Sequence, residues 1–305
     1  MATRTDLIQT RSVPWWAIAA MIGSAACWGS ATVMSRDLLE VFTPTALLVV
    51  QLAASLLALT LIALPEHPTR HFGTDLRRAS LAGVFEPGLT YAIGLAGLAL
   101  TTAGNSSVIS ATEPLIILVL AWMFLHQRPT PRVTIAVLVA AAGLVLVSGD
   151  PTVTWTTPSQ VLGDVLVLIS TGFAATYVVV TSRFSQRIPP ATMATAQQAV
   201  GLTLAVALLL CLQLTGIAEQ QWHSIDPPTL AYAAASGVVQ YALAFWLYLV
   251  GLKYLQPAVA GLWLTLTPVF GIAGAFIWLG EIPTPLMVLG TTIVLGALIA
   301  TRDGR

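Results

Sequence analysis

Two carboxylates stand in stretches that otherwise avoid charge, and a proline follows each directly: Glu86-Pro87-Gly88 and Glu113-Pro114. An acid at the centre of a membrane helix costs about 2.5–3.5 kcal/mol, so such a residue usually faces a cavity and serves it. There it can hold an ammonium group or exchange a proton; the alternative is an acid bonded to a neighbouring helix. Proline removes a backbone donor and disrupts the turn before it. A helix broken at membrane depth is tolerated only where it packs in protein or lines a cavity. Pro87, Pro114 and Pro268 are therefore expected to be hinges. Catalytic chemistry lacks its residues. His67, His71, His126 and His223 fall in connectors or at span ends, and no HExxH, GxSxG, P-loop or dinucleotide fingerprint occurs. Cys27 and Cys211, each inside an apolar run, offer neither a disulfide framework nor a metal cluster. No catalytic residue, metal site or cofactor is expected, and an enzyme is not.

The elements that must position these acids follow from composition. Of 305 residues 56% are apolar and 9% charged, against about 25% charged in soluble domains, so lipid is the expected solvent. Thirteen basic residues balance thirteen acidic ones, which leaves no basic stripe for a nucleic acid. Ten stretches approach the roughly 20 apolar residues a spanning helix needs. They are Trp15–Val33, Thr45–Leu64, Ala79–Leu100, Ala103–Leu125, Val133–Ser148, Val161–Ser182, Ala194–Gly216, Leu230–Leu252, Pro257–Leu279 and Pro285–Thr301. With the amino terminus inside, twelve basic residues fall in cytoplasmic segments and Arg36 alone falls outside, the partition that retention of positive charge predicts. The expected fold is all-α integral membrane, with ten transmembrane helices and both termini cytoplasmic.

The halves repeat. A shift of 154 positions carries Gly97-Leu98 onto Gly251-Leu252, Pro114 onto Pro268, and Pro129-Thr130-Pro131 onto Pro283-Thr284-Pro285. Matched prolines and glycines weigh more than matched Leu or Ala because they constrain the backbone. Five spans per half is an odd number, so the second half enters the membrane inverted, an arrangement suited to alternating access. The expected units are residues 1–149, a periplasmic connector at 150–160, and residues 161–305.

Three segments carry a family likeness: Ala26-Cys27-Trp28-Gly29-Ser30, Ala175-Thr176-Tyr177 leading to Ser182-Arg183, and Leu266-Thr267-Pro268-Val269-Phe270 followed by Leu279-Gly280-Glu281. Through them each half resembles an EamA-type unit of the drug/metabolite transporter superfamily. The first half departs from the pattern, with Leu125-His126-Gln127 where the second has Leu279-Gly280-Glu281. The resemblance implies efflux of small metabolites across the bacterial inner membrane, with exporters of aromatic and neutral amino acids as the best-described relatives in kind.

Under the 154 shift Glu86 meets Gln240, Pro87 meets Tyr241, Tyr91 meets Phe245 and Glu113 meets Thr267. Such pairs are expected if both halves wall one central site. Trp28, Tyr91, Tyr177, Tyr241 and Trp263 lie deep in spans and suit an apolar pocket, or else packing against lipid and neighbours. Asn105 and Ser110 belong to a polar stripe on the fourth span, which lines a vestibule or bonds helix to helix. The expected cavity residues are thus Trp28, Glu86, Tyr91, Asn105, Ser110, Glu113, Tyr177, Gln240, Tyr241, Trp263 and Thr267, on the first, third, fourth, sixth, eighth and ninth spans. No Lys or Arg sits inside a span, which disfavours phosphorylated or strongly anionic substrates. The function expected is export of amino acids and related zwitterions by alternating access. Proton-coupled efflux of cationic drugs and a channel-like protein without alternating access are the alternatives. The expected partners are a small-molecule substrate and the bilayer, and a monomer is compatible with both.

Overall fold

Proline starts most of the helices. The computed structural model describes residues 13–68, 73–98, 100–101, 109–147, 158–217, 220, 222, 225–274, 276–277 and 284–301. Their α-helices are α1 (Trp15–Leu38), α2 (Pro44–Ala63), α3 (Thr74–Ser80), α4 (Thr90–Leu98), α5 (Glu113–Leu125), α6 (Pro131–Val147) and α7 (Pro158–Ser182). There follow α8 (Pro190–Leu214), α9 (Pro227–Gly237), α10 (Ala244–Leu252), α11 (Pro257–Leu264), α12 (Thr267–Gly274) and α13 (Pro285–Thr301). Seven of these begin on proline, whose preset φ suits the first position and whose missing N–H would have no partner there. Among the described residues six stretches are long and apolar enough to cross a membrane: Trp15–Ser35, Pro44–Glu66, Pro158–Ser182, Pro190–Leu214, Pro227–Leu252 and Pro257–Gly274. Glu113–Leu125, Pro131–Leu146 and Pro285–Ala300 are apolar but shorter.

Four of the expected spans are loosened or broken, in matching places. In the third, the turns widen over Val84–Leu89, and Glu86 is extended at φ −143° and ψ 127°. In the eighth, widened turns without an extended residue occupy Val238–Leu243, which the 154 shift places on Val84–Leu89. The fourth is interrupted at Ala111-Thr112 before α5, and the ninth at Thr265-Leu266 between α11 and α12, again one shift apart. At these interruptions Thr112 Oγ1 donates to the Ile109 carbonyl (2.6 Å) and Thr265 Oγ1 to that of Leu262 (2.7 Å). This revises the expected hinges. Pro114 and Pro268 are the second residues of α5 and α12, where a missing N–H breaks no helical bond; they begin helix segments. Pro87 lies at the kink that the extended Glu86 makes within Val84–Leu89.

The packing repeats as the sequence does. α4 packs on α7 as α10 packs on α1, and α5 meets α7 as α12 meets α1. The Val84–Leu89 turns lie on α8 as Val238–Leu243 lie on α2, while α2 pairs with α8 and α6 with α13. A Cβ on Gly83 would overlap the Gln197 backbone, and one on Gly237 the Gln51 backbone. Gln51 Nε2 donates to Ser35 Oγ (2.9 Å), and Gln197 Nε2 to Thr181 Oγ1 (3.1 Å). Ser35 with Thr181, Pro44 with Pro190 and Gln51 with Gln197 stand 146 apart, whereas Gly83 and Gly237 stand 154 apart. The duplication thus extends through the first two spans of each half. It shifts by eight residues because α8 and the segment after it are longer than α2 and its own.

Outside the centre, Glu66 accepts from the N–H groups of Ala191 (3.2 Å) and Thr192 (2.7 Å) and from Thr192 Oγ1 (2.9 Å), which caps α8. One shift away, Gln220 Oε1 accepts from Thr43 N–H (2.7 Å) and its Nε2 donates to the Val41 carbonyl (3.3 Å), at the start of α2.

The two tight crossings predict a stability pattern. Gly83→Ala and Gly237→Ala should each destabilise by about 1–3 kcal/mol through overpacking. Gly172→Ala, with nothing within 4 Å of its new methyl, should be neutral or stabilising, since Ala exceeds Gly by about 1 kcal/mol in helix propensity. Thermal unfolding in detergent compares the three.

Candidate functional site

The widened turns deliver polar side chains to the centre. Extended backbone at Glu86 rotates its carboxylate out of the helical sequence, and Gln240 stands at the corresponding point of the other half. Glu113 opens α5 just after the interruption. Both carboxylates are half-buried. Glu86 lies within electrostatic reach of Glu113, and the two act together on the hydroxyls of Tyr91 and Tyr248.

Aromatic rings enclose the acids. Phe245 is the hub: Trp28 meets it edge-on at 5.0 Å between ring centres, Tyr177 at 5.8 Å, and Tyr241 stacks on it at 6.2 Å. Tyr91 packs edge-on against Tyr241 at 5.4 Å and Trp28 lies 5.8 Å from Tyr248. Tyr241, Phe245 and Tyr248 succeed one another at helical spacing, so α10 and the turns before it present one aromatic face.

Glutamines hold this enclosure in place. Gln51 Nε2 donates to Ser236 Oγ (2.9 Å) as well as Ser35, and Ser35 Oγ donates to Gln240 Oε1 (3.0 Å). With its oxygen engaged outward, Gln240 turns its amide nitrogen toward the cavity, beside Tyr91. Tyr177 O–H donates to Gln197 Oε1 (3.0 Å), Gln197 Nε2 to the Ala79 carbonyl (3.2 Å), and Gln198 Nε2 to the Tyr241 carbonyl (3.2 Å).

A model of the EamA-like transporter family matches residues 15–149 and again 161–302. The chain belongs to the EamA-like transporter family. It is similar to an Archaeoglobus fulgidus protein named an uncharacterized transporter, with 23% identity over 229 residues, 75% of this chain and 77% of that one. A solved crystal structure shares its fold with a TM-score of 0.75 at 17% identity, over 93% of this chain and 96% of the other. With its apolar helices, this EamA-like transporter is a multi-pass membrane protein.

The transporter gathers Trp28, Glu86, Tyr91, Glu113, Tyr177, Gln240 and Tyr241 into one place. Trp263 is buried in the same packed core. It lines an apolar pocket of about 410 Å³ with Ile18, Ile22, Leu266, Val269 and Phe270, between α1, α11, α12 and α13. Ser110 is exposed one turn ahead of α5, and Asn105 falls outside the described residues. Thr267 opens α12, with its carbonyl against Gly29. Pro87 is buried with its ring over Gly201. Phe245, Tyr248, Ser35, Gln51, Gln197 and Gln198 are the residues the sequence reading did not select. The signal was present in uncharged polar groups within apolar runs and in the spacing of Tyr241, Phe245 and Tyr248.

Removing the Tyr177 hydroxyl should expose how tightly this framework is satisfied. Tyr177→Phe leaves the Gln197 oxygen without its donor at a position 1% exposed. The expected cost is about 1–3 kcal/mol, read as a lower midpoint of thermal unfolding in detergent.

Proposed function

We propose that this transporter exports amino acids and related small zwitterionic metabolites across the bacterial inner membrane, by alternating access around the cavity that Glu86 and Glu113 line. One observation carries the reading: two half-buried acids share an aromatic enclosure, on backbone interruptions that recur at the same points of both repeats. A carboxylate in such surroundings binds an ammonium group strongly, because water does not compete for it. The rings accept the apolar side chain and, through their faces, the cation as well.

In the proposed topology ten spans form two inverted five-helix repeats, 1–149 and 161–305, with 150–160 periplasmic and both termini cytoplasmic. The support is the partition of basic residues, twelve to one. Alternation exchanges the conformations of the repeats, and the paired interruptions at Val84–Leu89 and Val238–Leu243 supply the bending points.

A second reading in the same cavity is proton-coupled efflux of cations. It is favoured by the pairing of two acids with no Lys or Arg inside any span. Proteoliposomes loaded with labelled amino acids, and separately with lipophilic cations, distinguish the two with and without a pH gradient. Saturable amino-acid counterflow that persists without the gradient is expected. Glu113→Gln and Glu86→Gln should each lower amino-acid flux about ten-fold or more, the loss of one charge-assisted hydrogen bond. Unchanged flux in both variants would remove the acids from the reading, and flux of cations alone would favour the second.

A further inference from the structure

Two buried hydrogen-bond donors at the edge of the enclosure meet no acceptor among the described residues: Trp28 Nε1–H and the Tyr248 hydroxyl. They belong to neighbouring rings, 5.8 Å apart between centres, on α1 and α10. The other tyrosines of the cluster are provided for. Tyr177 donates to Gln197, while Tyr91 and Tyr241 interact with one another and Tyr91 with Gln240. A buried donor without an acceptor is costly and rare in native proteins. Phenylalanine would fill the Tyr248 site equally well, for that side chain is 1% exposed and packed among aromatic rings. The hydroxyl and the indole N–H have no structural use in the framework, and they point to an acceptor that arrives with the substrate.

Position selects the acceptor. Glu86 and Glu113 both act electrostatically on the Tyr248 hydroxyl, and the Trp28 ring lies beside Tyr248. A free anion is disfavoured beside two carboxylates. An acceptor covalently joined to a cation is not: its ammonium faces the acids while its oxygens meet the neutral donors. Both poles are built into an α-amino acid.

Resting on the amino-acid reading above, we infer that Trp28 Nε1–H and Tyr248 O–H form the subsite for the substrate carboxylate, opposite an ammonium pole at Glu86 and Glu113. An amine without the carboxylate fills only half of this site and leaves both donors bare. The subsite therefore sets the preference for amino acids over organic cations.

The test compares KM in proteoliposomes for two matched pairs, leucine with isopentylamine and phenylalanine with phenethylamine. The wild type should prefer the amino acid, and Tyr248→Phe and Trp28→Phe should each reduce that preference about ten-fold, the worth of one hydrogen bond to a charged group. A preference unchanged in both variants overturns the subsite, as does an equal loss for amino acid and amine, since a carboxylate site must discriminate between them. Inhibition of wild-type counterflow provides a reading that depends on no variant. Leucinamide and phenylalaninamide, whose carboxylate is replaced by a neutral amide, should compete about ten-fold more weakly than the parent amino acids. Equal competition overturns the subsite while leaving amino-acid transport intact. A wild type that moves neither amino acid overturns the proposed function itself, and the subsite with it.

Discussion

In a bilayer every backbone polar group must find its partner within the protein, and the centre of this molecule is arranged around that demand. Widening the turns at Val84–Leu89 and Val238–Leu243 brings Glu86 and Gln240 to the cavity, but it loosens the helical ladder where no water can repair it. Glutamines make the repair. Gln197 reaches the Ala79 carbonyl ahead of one loosened segment, and Gln198 the Tyr241 carbonyl inside the other. A primary amide suits this task because it donates and accepts without charge. Gln197 can therefore hold a carbonyl, Thr181 and Tyr177 together.

The duplication explains why these devices occur in pairs, and its imperfections carry the chemistry. Glu86 corresponds to Gln240, Glu113 to Thr267 and Glu66 to Gln220. In each case the first repeat has the acid and the second a neutral polar group. The places of interruption are shared between the repeats while charge is not. In the proposed site one side is thereby negative and the other neutral, which orients a small ligand with two different ends.

Much of this was legible in the sequence, for reasons that differ from residue to residue. Proline and glycine announce backbone, so the 154 shift aligned the fourth span with the ninth through Pro114 and Pro268, while the eighth, with Tyr241 opposite Pro87, carried no such mark. The shift did not reach the first two spans, because the segment from Gln51 to Gly83 is eight residues shorter than that from Gln197 to Gly237 and the register slips between them. Glu86 and Glu113 were visible because a membrane charges heavily for an ionised group. Trp263 was not separable from Trp28 in the same way. In lipid an aromatic ring is equally at home facing tails, packing on a helix or lining a cavity, so depth in a span does not choose among them. Only the fold shows that Trp263 lines an apolar pocket while Trp28 rests on Phe245.

The same asymmetry reaches the rim. Glu66 at the start of α8 and Gln220 at the start of α2 occupy equivalent places, and both secure the first turn of a long helix. They do so with different strength. A carboxylate that accepts three hydrogen bonds at a helix amino end is favoured by its charge and by the helix dipole, whereas an amide that accepts one and donates one has neither advantage. In the proposed topology these contacts lie on opposite faces of the membrane. α2 and α8 are therefore joined unequally at their two ends, more firmly through Glu66. The difference between one acid and one amide, repeated at the rim and at the centre, makes the two halves of a nearly symmetric frame unequal.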